Sequence, residues 1–333
     1  MRRNRMLTAG IALAAASVAL TGCSQDGGTD FKVGYSVNVG SHEWYQNVVK
    51  GAEETAKEKG IGFQWSDANT DLSKQITQTE NMLTKGVDVL AVSPVDPKGL
   101  SSVMSEAEAQ NTPVVTESNT VEGATTTVGI KNLDAAKMLG EWAGKYQKEK
   151  MKTKAKVLIV GQPTQVDTRD RVAGFKQGLT ASGADVEIVR EVDGGGLKDT
   201  AVKVATDAIT ARKDINMIFG INDDSALGGT QAYQEAGLPM GKLATFGFGV
   251  EGRAGKSALT DGGPYKAGLA MFPEFVGRRL IEQAQAVHDD KKVEERTITP
   301  AAVLTADNLA TYYTRSGNDW KINYAAVEKI VAR

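Results

Sequence analysis

Ser41, His42, Trp44 and Tyr45 put two hydrogen-bonding groups beside two aromatic faces within five positions. Carbohydrates call for that mixture: polar groups fan around the hydroxyls, and an aromatic face covers the apolar C–H side of the ring. More polar sets follow other apolar runs: Ser93 with Asp96; Glu117, Ser118 and Asn119; Asp167 with Arg169; Asn222 with Asp223; and Gly249 with Glu251. Bond-breaking chemistry lacks its parts. His42 and His288 are the only histidines, which leaves a histidine metal cluster without ligands. No G-x-S-x-G frames a nucleophile. Asp223-Asp224 is a carboxylate pair that suits proton transfer, and it suits acceptance of hydrogen bonds from hydroxyls equally well. Gly255-Lys256-Ser257 looks like the end of a phosphate loop, but the motif needs a glycine where Val250 stands. The reading is a binding protein, not an enzyme, with no metal and no cofactor.

Each candidate also has a plainer role. Trp44 and Tyr45 would staple a helix to a sheet, Arg169 would sit at a surface helix start, Asn222 and Asp223 would cap the helix after them, and His288 would be solvated at a charged helix end.

The elements that position these residues follow a repeating pattern. Residues 33–60 read as an apolar strand, a polar loop and a helix stopped by Gly60; residues 157–183 repeat this, ending at Gly183. Gly51 precedes Gly60 by nine positions and Gly174 precedes Gly183 by nine, and the first strands of the two copies lie about 124 positions apart. Strands at 61–69, 87–94, 112–118 and 125–130 alternate with helices at 71–85, 98–110 and 134–150. In the second half, strands at 185–190, 215–220, 243–248 and 266–272 alternate with helices at 169–181, 198–212, 224–236 and 273–290. Such alternation predicts α/β architecture, with two Rossmann-like, doubly wound parallel-sheet lobes. In open sheets of this kind ligands bind beyond the carboxyl ends of the strands, where every polar set above is found.

The N-terminus reads differently. Arg2, Arg3 and Arg5 precede an apolar run from Met6 to Leu20, and Thr21-Gly22 leads into Cys23, the only cysteine. This is the layout of a secretory signal over residues 1–22, too short to span a bilayer. The run ending on Cys23 resembles a bacterial lipobox, which implies a lipidated, palmitate-bearing Cys23 as the mature N-terminus and residues 23–30 as a tether. Loss of residues 1–22 removes three arginines and no acid, leaving 36 basic against 41 acidic residues and a net charge of −5. That balance gives no footprint for nucleic acid. A single lipidated cysteine excludes an internal disulfide.

From about Lys32 to Leu304 the chain resembles the ribose-binding type of periplasmic sugar-binding protein, the type I substrate-binding proteins of ABC transporters. The segments that carry the likeness are VGYSVNVGSHEWYQNVVKGAEETAKEKG, KGVDVLAVSPVD, NTPVVTES, TRDRVAGFKQGL, INMIFGINDDSALGGTQAYQEAG and FGFGVEG. The resemblance implies a three-segment hinge, with an N-terminal lobe of residues 31–131 plus about 271–301 and a C-terminal lobe of 132–270 plus about 302–333. It implies an extracytoplasmic monomer, lipid-anchored to the membrane, that closes on a small carbohydrate and delivers it to an ABC importer permease. A sensor for a chemotaxis or two-component receptor is the alternative. Carried across, the family's paired aromatics fall on Trp44 and Tyr45, its strand-end asparagine on Ser93, its second-lobe arginine on Arg169 and its Asn-Asp on Asn222 and Asp223. Ser118-Asn119 stand where the family often has Asp-Arg, Gly249 where it has an aspartate, and Met271 where it has a glutamine. The expected ligand is therefore a monosaccharide other than ribose, a polyol, a deoxysugar or a furanone-like molecule.

Overall fold

The computed structural model describes residues 31–330. The leader, the tether and Cys23 lie outside the described residues, among which no helix is long and apolar enough to cross a membrane.

The first sheet contains β1 (Lys32–Val37), β2 (Gly62–Asp67), β3 (Val89–Val92), β4 (Val114–Glu117), β5 (Thr126–Gly129) and a late strand, β11 (Arg296–Ile298). The second contains β6 (Ala155–Gly161), β7 (Val186–Asp193), β8 (Met217–Gly220), β9 (Ala244–Gly249), β10 (Tyr265–Ala270) and β12 (Ala302–Leu304). Their orders are β11-β5-β4-β3-β1-β2 and β12-β10-β9-β8-β6-β7, the same plan executed twice. All pairings within the sheets are parallel except β10 with β12. The central strands β3, β4 and β8 are buried along their whole length. That explains their unbroken apolar runs, since helices cover both faces of a parallel sheet.

The longer helices are α1 (Glu43–Lys59), α2 (Leu72–Thr84), α3 (Ser101–Ala109), α4 (Asn132–Tyr146), α5 (Val166–Ala181), α6 (Lys198–Ala211), α7 (Asp223–Glu235), α8 (Arg253–Thr260) and α9 (Pro273–His288). Gly60 closes α1 at φ 67°, in the left-handed region where a glycine meets no steric penalty. The glycines read from the repeat have a packing role. A Cβ on Gly51 of α1 would run into the Glu274 carbonyl of α9, and a Cβ on Gly174 of α5 would run into the Leu133 carbonyl of α4. Each lobe thus seats the helix after its first strand against a neighbour at a bare backbone.

The chain passes between the sheets three times, from β5 to α4, from β10 to α9 and from β11 to β12. Gly255-Lys256-Ser257 lies inside α8, with Lys256 buried. The helix read as 134–150 stops at Tyr146 and continues as a π turn over Gln147–Met151. His288 is exposed and stacks on Phe31 with ring centroids 4.1 Å apart. Beyond β12 the tail forms a hairpin, β13 (Tyr313–Ser316) with β14 (Asp319–Ile322). It straps both lobes. Lys50 of α1 reaches Asp319 at 3.4 Å, while Tyr313 and Trp320 join a core with Val250 and Leu259 of the second lobe.

Candidate functional site

At the end of β1, His42 caps α1, its Nδ1 accepting the Trp44 backbone N–H at 3.2 Å. With Nδ1 acting as acceptor, the neutral ring carries its proton on Nε2. Burial pulls the His42 pKa below its ordinary value, against the opposing pull of Asp224 and Glu43. Trp44 is buried in the core of its lobe beside Val48. Tyr45 is half-buried, edge-on to His42 with centroids 6.4 Å apart, and Ser41 is exposed.

Deeper in the first lobe, Tyr35, Ser93, Glu117 and Ser118 form one chain. Tyr35 Oη and Ser93 Oγ are 2.6 Å apart, Ser93 Oγ donates to Glu117 Oε2 at 2.7 Å, and Ser118 Oγ donates to Glu117 Oε1. Glu117 is fully buried, and burial raises its pKa while the Ser118 and Ser93 hydroxyls and the Trp44 indole pull it back. Ser93, read as a ligand contact, is therefore committed inside its own lobe. Ser118 and Asn119 are half-buried at the cleft, Ser118 at φ 61°.

The second lobe faces this wall with charge. Helix α5 starts at Val166, three residues before the expected start at Arg169, and that brings a second arginine, Arg171, into the wall. Asp167 and Arg171 are one turn apart on the same face, with Arg171 Nη2 3.1 Å from Asp167 Oδ2. Arg171 also donates from Nε to Asn132 Oδ1 at 2.9 Å and from Nη1 to the Ile221 carbonyl at 3.0 Å, and it lies 4.6 Å from the centre of the Phe248 ring. Arg169 is exposed, donates to the Pro163 carbonyl at 2.8 Å and borders the cavity between the lobes. Asn222 takes the capping role read for it, and its amide nitrogen stands between Gly196 and His42. Its Oδ1 caps α7 through Ser225 N–H at 2.8 Å, and its Nδ2 donates to the Gly196 carbonyl at 2.8 Å while standing 3.5 Å from His42 Nε2. Asp223 is turned away from the cleft. It accepts from Tyr265 Oη at 2.6 Å and from Glu251 N at 2.9 Å, which fixes the turn after β9. Burial pushes its pKa up to about 6, against the pull of those two bonds and of Lys256.

That turn shows where one expected carboxylate went. Gly249 has φ 135° and Val250 φ 47°, so the chain reverses and brings Glu251 back: a Cβ on Gly249 would come within 2.8 Å of Glu251 Oε2. The space a side chain on Gly249 would enter is filled by the carboxylate of Glu251. In the first lobe Glu117 likewise supplies a carboxylate one residue before Ser118. Burial and neighbouring Asp223 hold the Glu251 pKa well above the usual carboxylate range, with Arg171 opposing. Met271 is a core residue at the second crossing, its backbone N–H on the Gly249 carbonyl at 3.2 Å.

The two walls touch. His42 Nε2 stands 3.9 Å from Glu251 Oε1 and 4.0 Å from Asp224 Oδ2. Asn47 Nδ2 donates across to the Glu251 carbonyl at 2.7 Å, and Arg253 N–H donates to Glu43 Oε1 at 3.2 Å. Beside these contacts an interlobe cavity of about 880 Å³ opens, lined by residues that include Asp96, Ser118 and Asn119 of the first lobe, Asp167 and Arg169 of the second, and Arg296. This volume falls in the range of small-molecule sites. Sequence reading missed Arg171 and Asn47; the i, i+4 spacing of Asp167 and Arg171 was the available sign.

A family model described as "Periplasmic binding protein domain" matches residues 33–292. The ribose import binding protein of Bacillus subtilis is 27% identical over 279 residues, covering 83% of this chain and 88% of that one. Among solved structures, an ABC transporter solute-binding protein from Mycobacterium smegmatis with bound glycerol superposes with a TM-score of 0.78 at 26% identity, covering 86% of this chain and 98% of that one. A periplasmic solute-binding protein from Actinobacillus succinogenes with bound D-allose gives a TM-score of 0.78 at 22% identity, covering 85% of this chain and all of that one, a likeness of fold.

Proposed function

This chain belongs to the periplasmic binding protein family, to its type I sugar-binding branch, and from that premise we propose that it captures a small carbohydrate or polyol between its lobes for delivery to an ABC importer permease. It is a solute-binding protein of the extracytoplasmic space rather than an enzyme, as its relatives are. The observation that carries the proposal is the pairing of unlike walls: the Tyr45 and His42 rings on one side, and Asp167, Arg171 and Asn222 on the other. A hydroxylated ring placed there gives donors to the carboxylates and accepts from Arg171 and Asn222, while its C–H face rests on Tyr45. Selectivity comes from matching, because a buried polar group left unpaired costs about 1–3 kcal/mol. The three crossings act as the hinge, and closure presents one surface made of both lobes to the permease. Lipidation of Cys23 tethers the protein to the membrane; Cys23→Ser is expected to lose radiolabelled palmitate and to release the protein from membranes.

A thermal denaturation screen of the full chain against pentoses, hexoses, polyols, deoxysugars and nucleosides tests the capture reading. A bound ligand at 100 times its Kd adds about 2.7 kcal/mol of stability. At least one sugar or polyol is expected to raise the melting temperature. A panel with no response contradicts the reading.

A further inference from the structure

Arg169, Arg171 and Arg296 all stand at the cleft, and they differ in what each has left to give. Arg171 spends one nitrogen apiece on Asn132, the Ile221 carbonyl and Asp167. Arg169 is exposed and reaches back to the Pro163 carbonyl. Arg296 comes from the first lobe, at the start of β11, and is half-buried. It borders the interlobe cavity together with Ser118, Asn119 and Asp167. Its Nη2 donates to the Ser118 and Ile130 carbonyls, each at 3.1 Å, and its Nη1 stands 3.5 Å from Thr120 Oγ1. Gly129 makes room for this arrangement: a Cβ there would stand 3.4 Å from Nη2. A guanidinium has five N–H donors. With three engaged, one on Nε and one on Nη1 meet no acceptor among the described residues. The side chain is held by main-chain carbonyls and still has donors to offer.

The second lobe shows the complementary lack on the same cavity. Asp167 Oδ2 is held by Arg171, while Oδ1 is buried and has no hydrogen-bond partner among the described residues. No ion pair joins Asp167 to Arg296 among those residues; the cavity lies between them. They are nevertheless within electrostatic reach: burial lowers the Arg296 pKa, and Glu117, Asp167 and Asp170 oppose that shift. One wall therefore has donors without acceptors, and the other has an acceptor without a donor. A hydroxyl answers both, because its oxygen accepts while its proton is given. A hydrogen, a methyl or an ether oxygen in its place leaves at least one side unpaired, which is costly in a closed site.

Resting on the capture reading above, we propose that Arg296 is a ligand-binding residue that sets specificity: it donates to the oxygen of one ligand hydroxyl, whose proton goes to Asp167 Oδ1 of the other lobe. That hydroxyl is gripped from both lobes, and a ligand without it is rejected. The same guanidinium holds the Ile130 carbonyl beside the first crossing, and β11 leads into the third, so this contact is made on the hinge side of the cleft.

The test titrates the full chain calorimetrically with D-galactose, D-glucose, D-ribose and myo-inositol, and then takes the tightest of these with its monodeoxy analogues. In wild type at least one analogue is expected to bind about tenfold or more weaker than its parent. Arg296→Met keeps the stem and removes the donors. It is expected to weaken the parent by about tenfold and to bring parent and that analogue within about threefold of each other. Asp167→Asn is expected to shrink the penalty at the same hydroxyl. If Arg296→Met does not fold, Arg296→Lys, which keeps a cation for the two carbonyls, is read in the same way. A purely structural role would weaken parent and analogues alike; unchanged ratios in the Arg296 variant therefore overturn the inference and leave the capture reading standing. Penalties that shrink at different hydroxyls in the two variants also overturn it. No heat from any of the four parents overturns it as well, and the thermal screen above then decides the capture reading.

Discussion

After the first strand of one lobe stand His42, Trp44 and Tyr45; after the corresponding strand of the other, β6, stand Asp167 and Arg171. The strand orders match, and the helices after those strands are seated at equivalent glycines, Gly51 and Gly174. The furnishing of the cleft does not match. The first wall is mostly rings and a hydroxyl chain closed on itself through Glu117. The second is charge fixed by hydrogen bonds to backbone and to Asn132. A duplicated scaffold therefore leaves the ligand-facing loops free to diverge, one toward shape and the other toward polarity, because the scaffold is held by strand pairing and helix seating away from those loops.

The largest expected effect separates two arginines of the second lobe. Arg171→Ala strips the partner from buried Asp167 and is expected to cost about 3–5 kcal/mol of stability. Arg169→Ala, at an exposed site, is expected to stay within about 0.5 kcal/mol. Urea melts of the two variants check this, and equal losses would undo the assignment of the inward face of α5.

A smaller effect probes the sameness of the scaffolds. Gly51→Ala and Gly174→Ala each force a methyl against a carbonyl of the neighbouring helix and are expected to lose about 1–3 kcal/mol apiece. A large loss in only one of them would break the equivalence of the lobes.

The smallest effect is in pH dependence, where the two walls pull in opposite directions. The pKa of Asp223 is raised to about 6, so its contribution is full below the ordinary aspartate range and is lost as pH rises toward and through 6. The pKa of His42 is lowered, so its contribution is present above the ordinary histidine value and is lost as pH falls through the depressed one. Ligand-free melts from pH 4 to 8 are expected to lose the first slope in Asp223→Asn and the second in His42→Gln.

The scaffold was legible because long-range packing writes itself locally: buried parallel strands are unbroken apolar runs, and helix stops are glycines such as Gly60. The site was less legible where backbone geometry decides it. Arg171 was hidden because α5 begins at Val166 behind Gln165, whose side chain makes no cap bond, so no cap residue marks the true start. Glu251 stood in the strand-end set, but its aim depends on the reversal at Gly249 and Val250, which no residue pattern announces. Ser93 was read as facing ligand because nothing in the sequence shows the buried Tyr35 hydroxyl and Glu117 carboxylate that occupy it. The tail gives a weak pattern because its hairpin is short and its apolar residues serve two lobes.

The most direct measurement is a calorimetric titration of the tightest binder from the screen into wild type, Tyr45→Ala and Asn222→Ala. Each variant alters one wall. Both are expected to weaken binding by tenfold or more, as a ligand gripped from two sides requires. A variant of either wall that keeps Kd within twofold of wild type would place the ligand on one lobe alone and contradict capture between them.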